Sequence, residues 1–321
     1  MWPKQSGTHQ KAGMENSLVD PGMSSNEISV VLAVYNGEKY LAKLLESLFA
    51  QKGVTIKELI VVDDKSTDGS MDIVNAYQQT YPQVKIVGNE VNLGPIGSFK
   101  KGAALCTSDY LAFADQDDIW KENKLARSLS CLKQVDIDNK PSMVFTDLEM
   151  MDEEGNPLNG SFWKWYDIDP AKNNFYTILF GNIATGCTMV INKKMRDELV
   201  AMPLNAPMHD HWMALIAFSI GNYGYLDDQT VLYRLHNSSV TNKNEVTFSQ
   251  KVGNFLEASF SKESDFMGEY INQAVLFKSK YGDKLNAQTN RQLDYFIKLK
   301  SSSGFMKKIK RKLRFSQKKW D

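Results

Sequence analysis

Tyr110-Leu-Ala-Phe-Ala-Asp-Gln-Asp-Asp-Ile-Trp120 is the stretch that decides the fold. Its first five residues are apolar or small, as in a strand covered on both faces. It then ends on three carboxylates, Asp115, Asp117 and Asp118, with Gln116 between the first two. Three acids within four positions repel one another when all are ionised, so such a cluster is either solvated or neutralised by a cation. An open α/β sheet binds its ligand beyond the carboxyl ends of its strands, where these acids fall. The expectation is a divalent metal, Mg²⁺ or Mn²⁺, sharing its coordination with the phosphates of a ligand. The competing reading is a solvated turn capping a helix that starts near Glu122.

The segments upstream supply the rest of that sheet. Ile28 to Tyr35 is a near-continuous apolar run followed by the turn Asn36-Gly37. Glu38 to Gln51 carries Tyr40, Leu41, Leu44, Leu45, Leu48 and Phe49 at helical spacing. Glu58 to Asp63 reads as a second buried strand, Val84 to Gly88 as a shorter, edge-like third. The polar turn from Asp64 to Gly69 leads into an amphipathic helix through Tyr81. Ser98, after the loop from Asn92, is a candidate helix cap. This alternation predicts an open, mostly parallel α/β sheet flanked by helices, with Tyr35, Asp63-Asp64 and Asp115–Asp118 on one edge. No Gly-x-Gly-x-x-Gly or Walker loop is present.

The second half is more mixed. Ser142 to Asp147 reads as a strand, Gly155 to Trp165 as a loop, Asn174 to Phe180 as a short helix. Thr185 to Asn192 reads as a turn and strand, and His209-Asp-His-Trp212 opens a helix through Ile220. Tyr223 to His236 contains a strand ending in Tyr233-Arg-Leu-His236. From Val246 onward only helices are expected. These readings divide the chain into a disordered leader over 1–26, a catalytic domain over 27–240, and a helical C-terminal region over 241–321.

The 321 residues carry 38 basic and 38 acidic side chains, a formal net charge of zero. Eight Lys/Arg fall between Phe305 and Asp321, so the remainder is acidic. An acidic body with a basic tail argues against broad nucleic-acid binding. In the tail, Phe305, Ile309 and Leu313 lie four apart among lysines and arginines, the pattern of a helix lying on an anionic membrane surface. The three cysteines are odd in number and widely spaced, which points to a reducing compartment. No apolar run approaches a membrane span. The expected location is the cytoplasm, peripheral to the inner face of the membrane.

Two further constellations bear on chemistry. Asp64, Ser66, Asp68 and Gly69 imitate a calcium loop, but Asn75 stands where that loop needs glutamate. The alternatives are that Asp64 accepts the N–H of a pyrimidine ring, or that this turn simply caps the next helix. In His209-Asp210-His211, Asp210 is a candidate general base for a hydroxyl nucleophile, or a helix cap. His236 either completes the metal shell or is structural. Trp212, Trp163 and Trp165 are candidate sugar-stacking rings, or ordinary core and rim aromatics.

Taken together, Val31-Leu-Ala-Val-Tyr-Asn-Gly37, Val61 to Gly69, Asn92-Leu-Gly94, Asp115 to Trp120 and His209-Asp210 resemble, in order and spacing, the family 2 glycosyltransferases of the GT-A fold. The resemblance covers about residues 27 to 240. It implies an inverting, metal-dependent transfer from a nucleotide-diphosphate sugar. It would put Ala33, Tyr35, Asn36, Asp64, Asn92, Gly94, Asp115 and Gln116 around the nucleotide-sugar, Asp115, Asp117 and His236 on the metal, and Asp210 as the base. Lys65 departs from the family, which usually has Gly or Asn there. Thr185-Gly-Cys-Thr-Met189, His209 to Trp212 and Tyr233 to His236 are similar to segments of bacterial rhamnosyltransferases. That likeness suggests dTDP-L-rhamnose as donor and a polysaccharide or lipid-linked glycan as acceptor, with Thr185, Gly186 and Trp212 facing it. Alternatives are a UDP-sugar donor, a nucleotidyltransferase (which needs a Gly-rich loop where Tyr35-Asn-Gly-Glu38 stands), and a catalytically inactive carbohydrate-binding protein.

Overall fold

The computed structural model describes residues 26–235 and 263–299. The leader, His236 and the basic tail lie outside them. Strand β1 (Glu27–Val34) leads through the Asn36-Gly37 turn to helix α1 (Glu38–Phe49). β2 (Thr55–Asp63), α2 (Ser70–Thr80), β3 (Val84–Gly88), α3 (Gly94–Leu105) and β4 (Tyr110–Asp115) follow. Their pairings are parallel: β1 with β2, β2 with β3, and β1 with β4. Val34 is level with Asp63, and Ala33 with Asp115, so the three strands end together on one edge.

Alternation along β1 shows why its apolar run is continuous. Val31 packs into one core with Ile60, Val62 and Phe113, whereas Val30, Leu32 and Val34 pack into another with Leu41, Leu44 and Leu48 of α1. Both faces are covered, and each fully buried aliphatic side chain contributes roughly 1.5–3 kcal/mol. Ser98 does not cap α3 as expected. It lies inside that helix, fully buried, and its hydroxyl accepts from Asn89 Nδ2 at 3.0 Å.

Beyond β4 the sheet becomes mixed. The short β5 (Ile119–Trp120), α4 (Lys124–Val135), β6 (Ser142–Met151), β7 (Pro157–Ser161), α5 (Phe162–Trp165), α6 (Phe175–Ile178), β8 (Val190–Asn192), α7 (Lys193–Val200), α8 (His209–Ser219) and β9 (Asn222–Arg234) complete the body. The strand order is β3-β2-β1-β4-β8-β6-β9-β5, with β7 on β6. β8 runs antiparallel to β4 and β6, and β9 parallel to β6, so β9 finishes on the same edge as Asp115. The expected loop from Gly155 to Trp165 is a hairpin strand and a helical turn. Ser161 accepts from Lys164 N at 2.9 Å and so starts that turn. Among the described residues, the C-terminal extension consists of α9 (Glu263–Tyr281) and α10 (Ala287–Lys298), joined by a short turn.

Lys65 adopts a left-handed backbone, φ 75°. This conformation costs a residue with a Cβ about 1–2 kcal/mol, which Asn tolerates better through local hydrogen bonding. Lys65→Asn is therefore expected to stabilise the protein by about 0.5–1 kcal/mol, read as a higher urea midpoint at unchanged m.

Candidate active site

The edge is built by side chains that tie the strand ends to one another. Gln116 lays its amide along Tyr35: Oε1 accepts from Tyr35 N at 2.8 Å, and Nε2 donates to Tyr35 O at 3.0 Å. Both ends of the Gln116 amide thus help to fix the end of β1, and each keeps a second hydrogen-bonding direction. Gly37 makes room for it, since a Cβ there would fall 2.4 Å from Gln116 Oε1. Tyr35 itself is 50% exposed, with a free ring face.

Asn36 sits at φ 50° and its Oδ1 accepts from Thr67 N at 2.8 Å. Asn36 N and Gly37 N donate to the hydroxyls of Ser66 and Ser70. Asp68 accepts from Glu38 N, and Glu38 accepts from Gly69 N. The apparent calcium loop is thus a reciprocal clasp between the starts of α1 and α2.

Asp64 is nearly buried and organises the next loop. Its Oδ1 accepts from Asn89 Nδ2 at 2.8 Å and Leu93 N at 2.7 Å, and its Oδ2 from Gly94 N at 2.8 Å. Asn92 donates to the Asp64 carbonyl and accepts from Gly94 N. A carboxylate accepts about four hydrogen bonds, so Oδ2 retains one vacant acceptor direction.

The acids gather beyond β4. Burial first, then the charges of Asp117 and Asp210, push the Asp115 carboxyl up to about 7. Burial, then Asp117 and Asp115, push Asp118 well above the usual carboxylate range. Asp118 Oδ2 has no hydrogen-bond partner among the described residues. One ligand atom from each of Asp115, Asp118 and Cys187 lies within 4.8 Å of the others. Sequence reasoning missed Asp118 and Cys187 as close neighbours, although both lie inside motifs it singled out.

Crowded carboxylates with raised pKa values and an unsatisfied buried oxygen are the donor set a hard divalent cation relieves. The Cys187 thiol does not suit that role, because burial and then the charges of Asp118 and Asp115 keep it protonated. Lys124 supplies part of the compensating charge. It is fully buried with Nζ 4.1 Å from the Trp120 ring centre, and burial pushes it down to about 8 against the pull of Cys187 and Asp118.

Arg234, at the end of β9, joins this loop to the far side of the site. It is 2% exposed. Its Nε donates to Asp117 O at 2.9 Å and its Nη1 to Glu153 O at 2.8 Å, while its guanidinium lies 4.5 Å over the Tyr40 ring. Its backbone N–H donates to Asp118 Oδ1 at 3.2 Å. His236, expected on the metal, lies outside the described residues.

The fourth wall is the turn from Thr185 and the start of α8. Thr185 is half-buried and its carbonyl accepts from Thr188 N and Oγ1, which shapes the helical turn Gly186–Thr188. A Cβ on Gly186 would lie 3.2 Å from His209 Nε2 and 3.7 Å from Asp210 Cβ, so this glycine lets α8 approach. Asp210 is half-buried and close enough to Asp115 to raise its pKa. Met208, not His209 or Asp210, takes the cap position.

Trp212 does not face an acceptor. It is fully buried, 5.5 Å from Phe277 and 5.9 Å from Tyr281 between ring centres, because α8 is enclosed on all sides from His211 to Ala217. Trp163 is likewise buried, against Phe145 and Tyr225. Trp165 alone of these three is exposed, at 45%.

His211 carries a pH prediction. Burial lowers it to about 4, against the opposing pull of the Ile178 carbonyl and Asp210. Its folded pKa lies below the unfolded value near 6.5, so the unfolded chain binds more protons in between. Stability is expected to fall as pH drops from about 6.5 towards 4, by roughly 2–3 kcal/mol from this group. Urea unfolding at pH 7 and 4.5, wild type against His211→Gln, isolates it; equal slopes for the two proteins would contradict the assignment.

A sequence profile described as Glycosyl transferase family 2 matches residues 29–195. The chain is 27% identical over 216 residues to TuaG of Bacillus subtilis, a glycosyltransferase named for teichuronic acid biosynthesis, covering 67% of this chain and 81% of that one. It is 28% identical over 240 residues to the dTDP-rhamnosyl transferase RfbG of Shigella flexneri, covering 68% and 76%. Among solved structures it is similar to the mannosyltransferase PcManGT from Pyrobaculum calidifontis, crystallised with GDP-Man and Mn2+. The TM-score is 0.57 at 14% identity, covering 94% of this chain and 82% of that one, a likeness of fold.

Proposed function

The chain belongs to glycosyl transferase family 2, and on that premise we propose that it moves a sugar, with inversion, from a nucleotide-diphosphate donor to a glycan acceptor. The observation that carries this reading is the convergence of Asp115, Asp118 and Asp210 at the edge where β1, β2 and β4 end.

Asp64 accepts a pyrimidine N–H on its remaining Oδ2 direction, and the exposed Tyr35 ring stacks on the base. Asp115 and Asp117 would hold Mg²⁺ or Mn²⁺, with His236 as a further ligand; when bound, that ion supplies positive charge against the departing diphosphate. Asp210 takes the proton of the acceptor hydroxyl as its oxygen attacks the anomeric carbon from the opposite face. The C–O bond to the diphosphate breaks as the new one forms, which inverts the centre. Thr185 and Gly186 flank the acceptor, and Trp165 is the exposed ring available to stack on it.

The donor we favour is dTDP-L-rhamnose, supported by the likeness to RfbG and by the segments around Thr185 and Tyr233. Thymine and uracil present the same N–H to Asp64, so a UDP-sugar is the alternative. The acceptor is a cell-surface polysaccharide or lipid-linked glycan, in keeping with the naming of TuaG. Among the described residues no helix is long and apolar enough to cross a membrane. Attachment of the basic tail to an anionic membrane face remains part of the proposal, on residues outside those described.

Thermal shift of the full chain against dTDP-L-rhamnose, UDP-glucose and GDP-mannose, each with Mn²⁺, tests the donor, because a ligand held by the native state raises its melting temperature. A shift with dTDP-L-rhamnose that vanishes on adding EDTA is expected. A shift only with GDP-mannose would overturn the pyrimidine reading.

A further inference from the structure

We propose that Gln273, on the C-terminal helix α9, is a positioning residue for Asp210; this rests on the reading of Asp210 as the base. Helix α9 docks against α8 through an otherwise aromatic and apolar stripe, Tyr270, Ala274, Phe277 and Tyr281, all buried. Gln273 is the polar exception in that stripe and is completely buried. Burying a carboxamide is costly unless its hydrogen bonds are made, and here they are made to one short segment.

Gln273 Oε1 accepts from Met208 N at 2.9 Å. Its Nε2 donates to Met208 O at 3.0 Å and lies 3.0 Å from His211 Nδ1. The pair of bonds to Met208 fixes which end of the amide is oxygen, so Nε2 must donate to His211. The opposite ring nitrogen, Nε2 of His211, lies 2.7 Å from the Ile178 carbonyl, which can only accept. His211 is therefore held neutral, with its proton on Nε2 and its Nδ1 bare. The Tyr270 ring closes the imidazole edge-on at 4.5 Å.

Asp210 sits between these two clamped residues. Met208 is fixed through its backbone N–H and carbonyl, and His211 through both ring nitrogens. Asp210 Oδ1 in turn accepts from His211 N at 2.7 Å. The first turn of α8 has little freedom left, and the carboxylate is carried with it towards Asp115. Residues 29–195 define the family match, so both the base and its clamp come from the part of the chain that the match leaves out. Misplacing a catalytic group by about 1 Å costs on the order of 100-fold in rate. The clamp gives the C-terminal extension a task at the reacting centre.

The test uses the full chain and two variants. Gln273→Met keeps volume and removes all three bonds; Gln273→Glu keeps the acceptor for Met208 N and loses both donors. With dTDP-L-rhamnose and Mn²⁺, and release of dTDP to water as the readout, kcat is expected to fall about tenfold or more for Gln273→Met, with KM for the donor within about twofold. The loss should disappear in an Asp210→Asn background, because a residue acting only through Asp210 has nothing left to position. An equal loss in that background, or a KM that rises with unchanged kcat, would overturn the proposal.

A second arm needs no turnover. Ring nitrogen NMR of His211 should show the Nε2–H tautomer in the wild type. Hydrogen exchange across Met208–Trp212 should accelerate in Gln273→Met, and also in Gln273→Glu should the methionine variant not fold. Unchanged protection in a folded variant would sink the clamp itself. Full turnover by Asp210→Asn with altered exchange in the Gln273 variants would instead sink the base reading and leave the clamp standing.

Discussion

Replacing Asp210 by asparagine is expected to lower transfer about 10²–10⁴-fold while leaving nucleoside-diphosphate affinity nearly unchanged. The substitution is close to isosteric. Asparagine Oδ1 can still accept from His211 N, so the start of α8 should stay in place. What is lost is the one property the proposed mechanism asks of the group, a lone pair basic enough to take a hydroxyl proton. Removing this charge also relieves Asp115, whose pKa the Asp210 carboxylate helps to raise. Metal and diphosphate should therefore bind no worse, which separates this variant from one in the acid cluster. Calorimetry of dTDP with Mn²⁺ beside single-turnover transfer would show the split. A fully active Asp210→Asn protein would remove the base and force the proton onto another group.

The parallel half of the sheet is legible in the sequence because its strands are buried on both faces. The carboxyl-terminal halves of β1, β2 and β4 read as near-continuous apolar runs, and the polar residues that stop each run mark a common edge. β5 has two residues and β7 carries proline and glycine, so neither has enough pattern to stand out. β9 is longer, but its register against β6 shifts twice near Asp147, and no periodicity in the sequence marks that.

At the site, sequence locates residues better than roles. The motif spacing brings Tyr35, Asp64, Asp115 and Asp210 to one edge, yet it cannot say that the Gln116 amide is occupied by Tyr35. Polar side chains in a motif look alike whether they meet a ligand or the backbone beside it. Trp212 misleads for the converse reason. A helix apolar all round is a buried helix, and His211 to Ala217 has that composition. Gln273 and Lys124 give no signal, since a lone polar residue on an amphipathic helix reads as solvent-facing.

Arg234→Met should be the most damaging single change away from the reacting atoms. Its guanidinium satisfies the carbonyls of Asp117 and Glu153, with a longer contact to Asp152 O at 3.3 Å. Methionine fills the volume but leaves part-buried carbonyls without their donor, at about 1–3 kcal/mol each. It also gives up the guanidinium's place 4.5 Å over the Tyr40 ring, a contact worth about 0.5–2 kcal/mol. The sum is not additive, and a loss of about 3–5 kcal/mol in urea unfolding is expected. The functional loss should be separable from that. Because Arg234 holds the main chain of Asp117, the loss of that support behind the proposed metal ligand is expected to weaken Mn²⁺ binding about 10–100-fold, measured by paramagnetic resonance of free Mn²⁺ on folded protein. Arg234→Lys should recover part of the stability, since an ammonium restores the charge. It should not recover the metal affinity, because one nitrogen cannot span carbonyls that a planar fork holds at once. Full Mn²⁺ affinity in the folded lysine variant would mean that charge alone, and not the fork, keeps Asp117 in place.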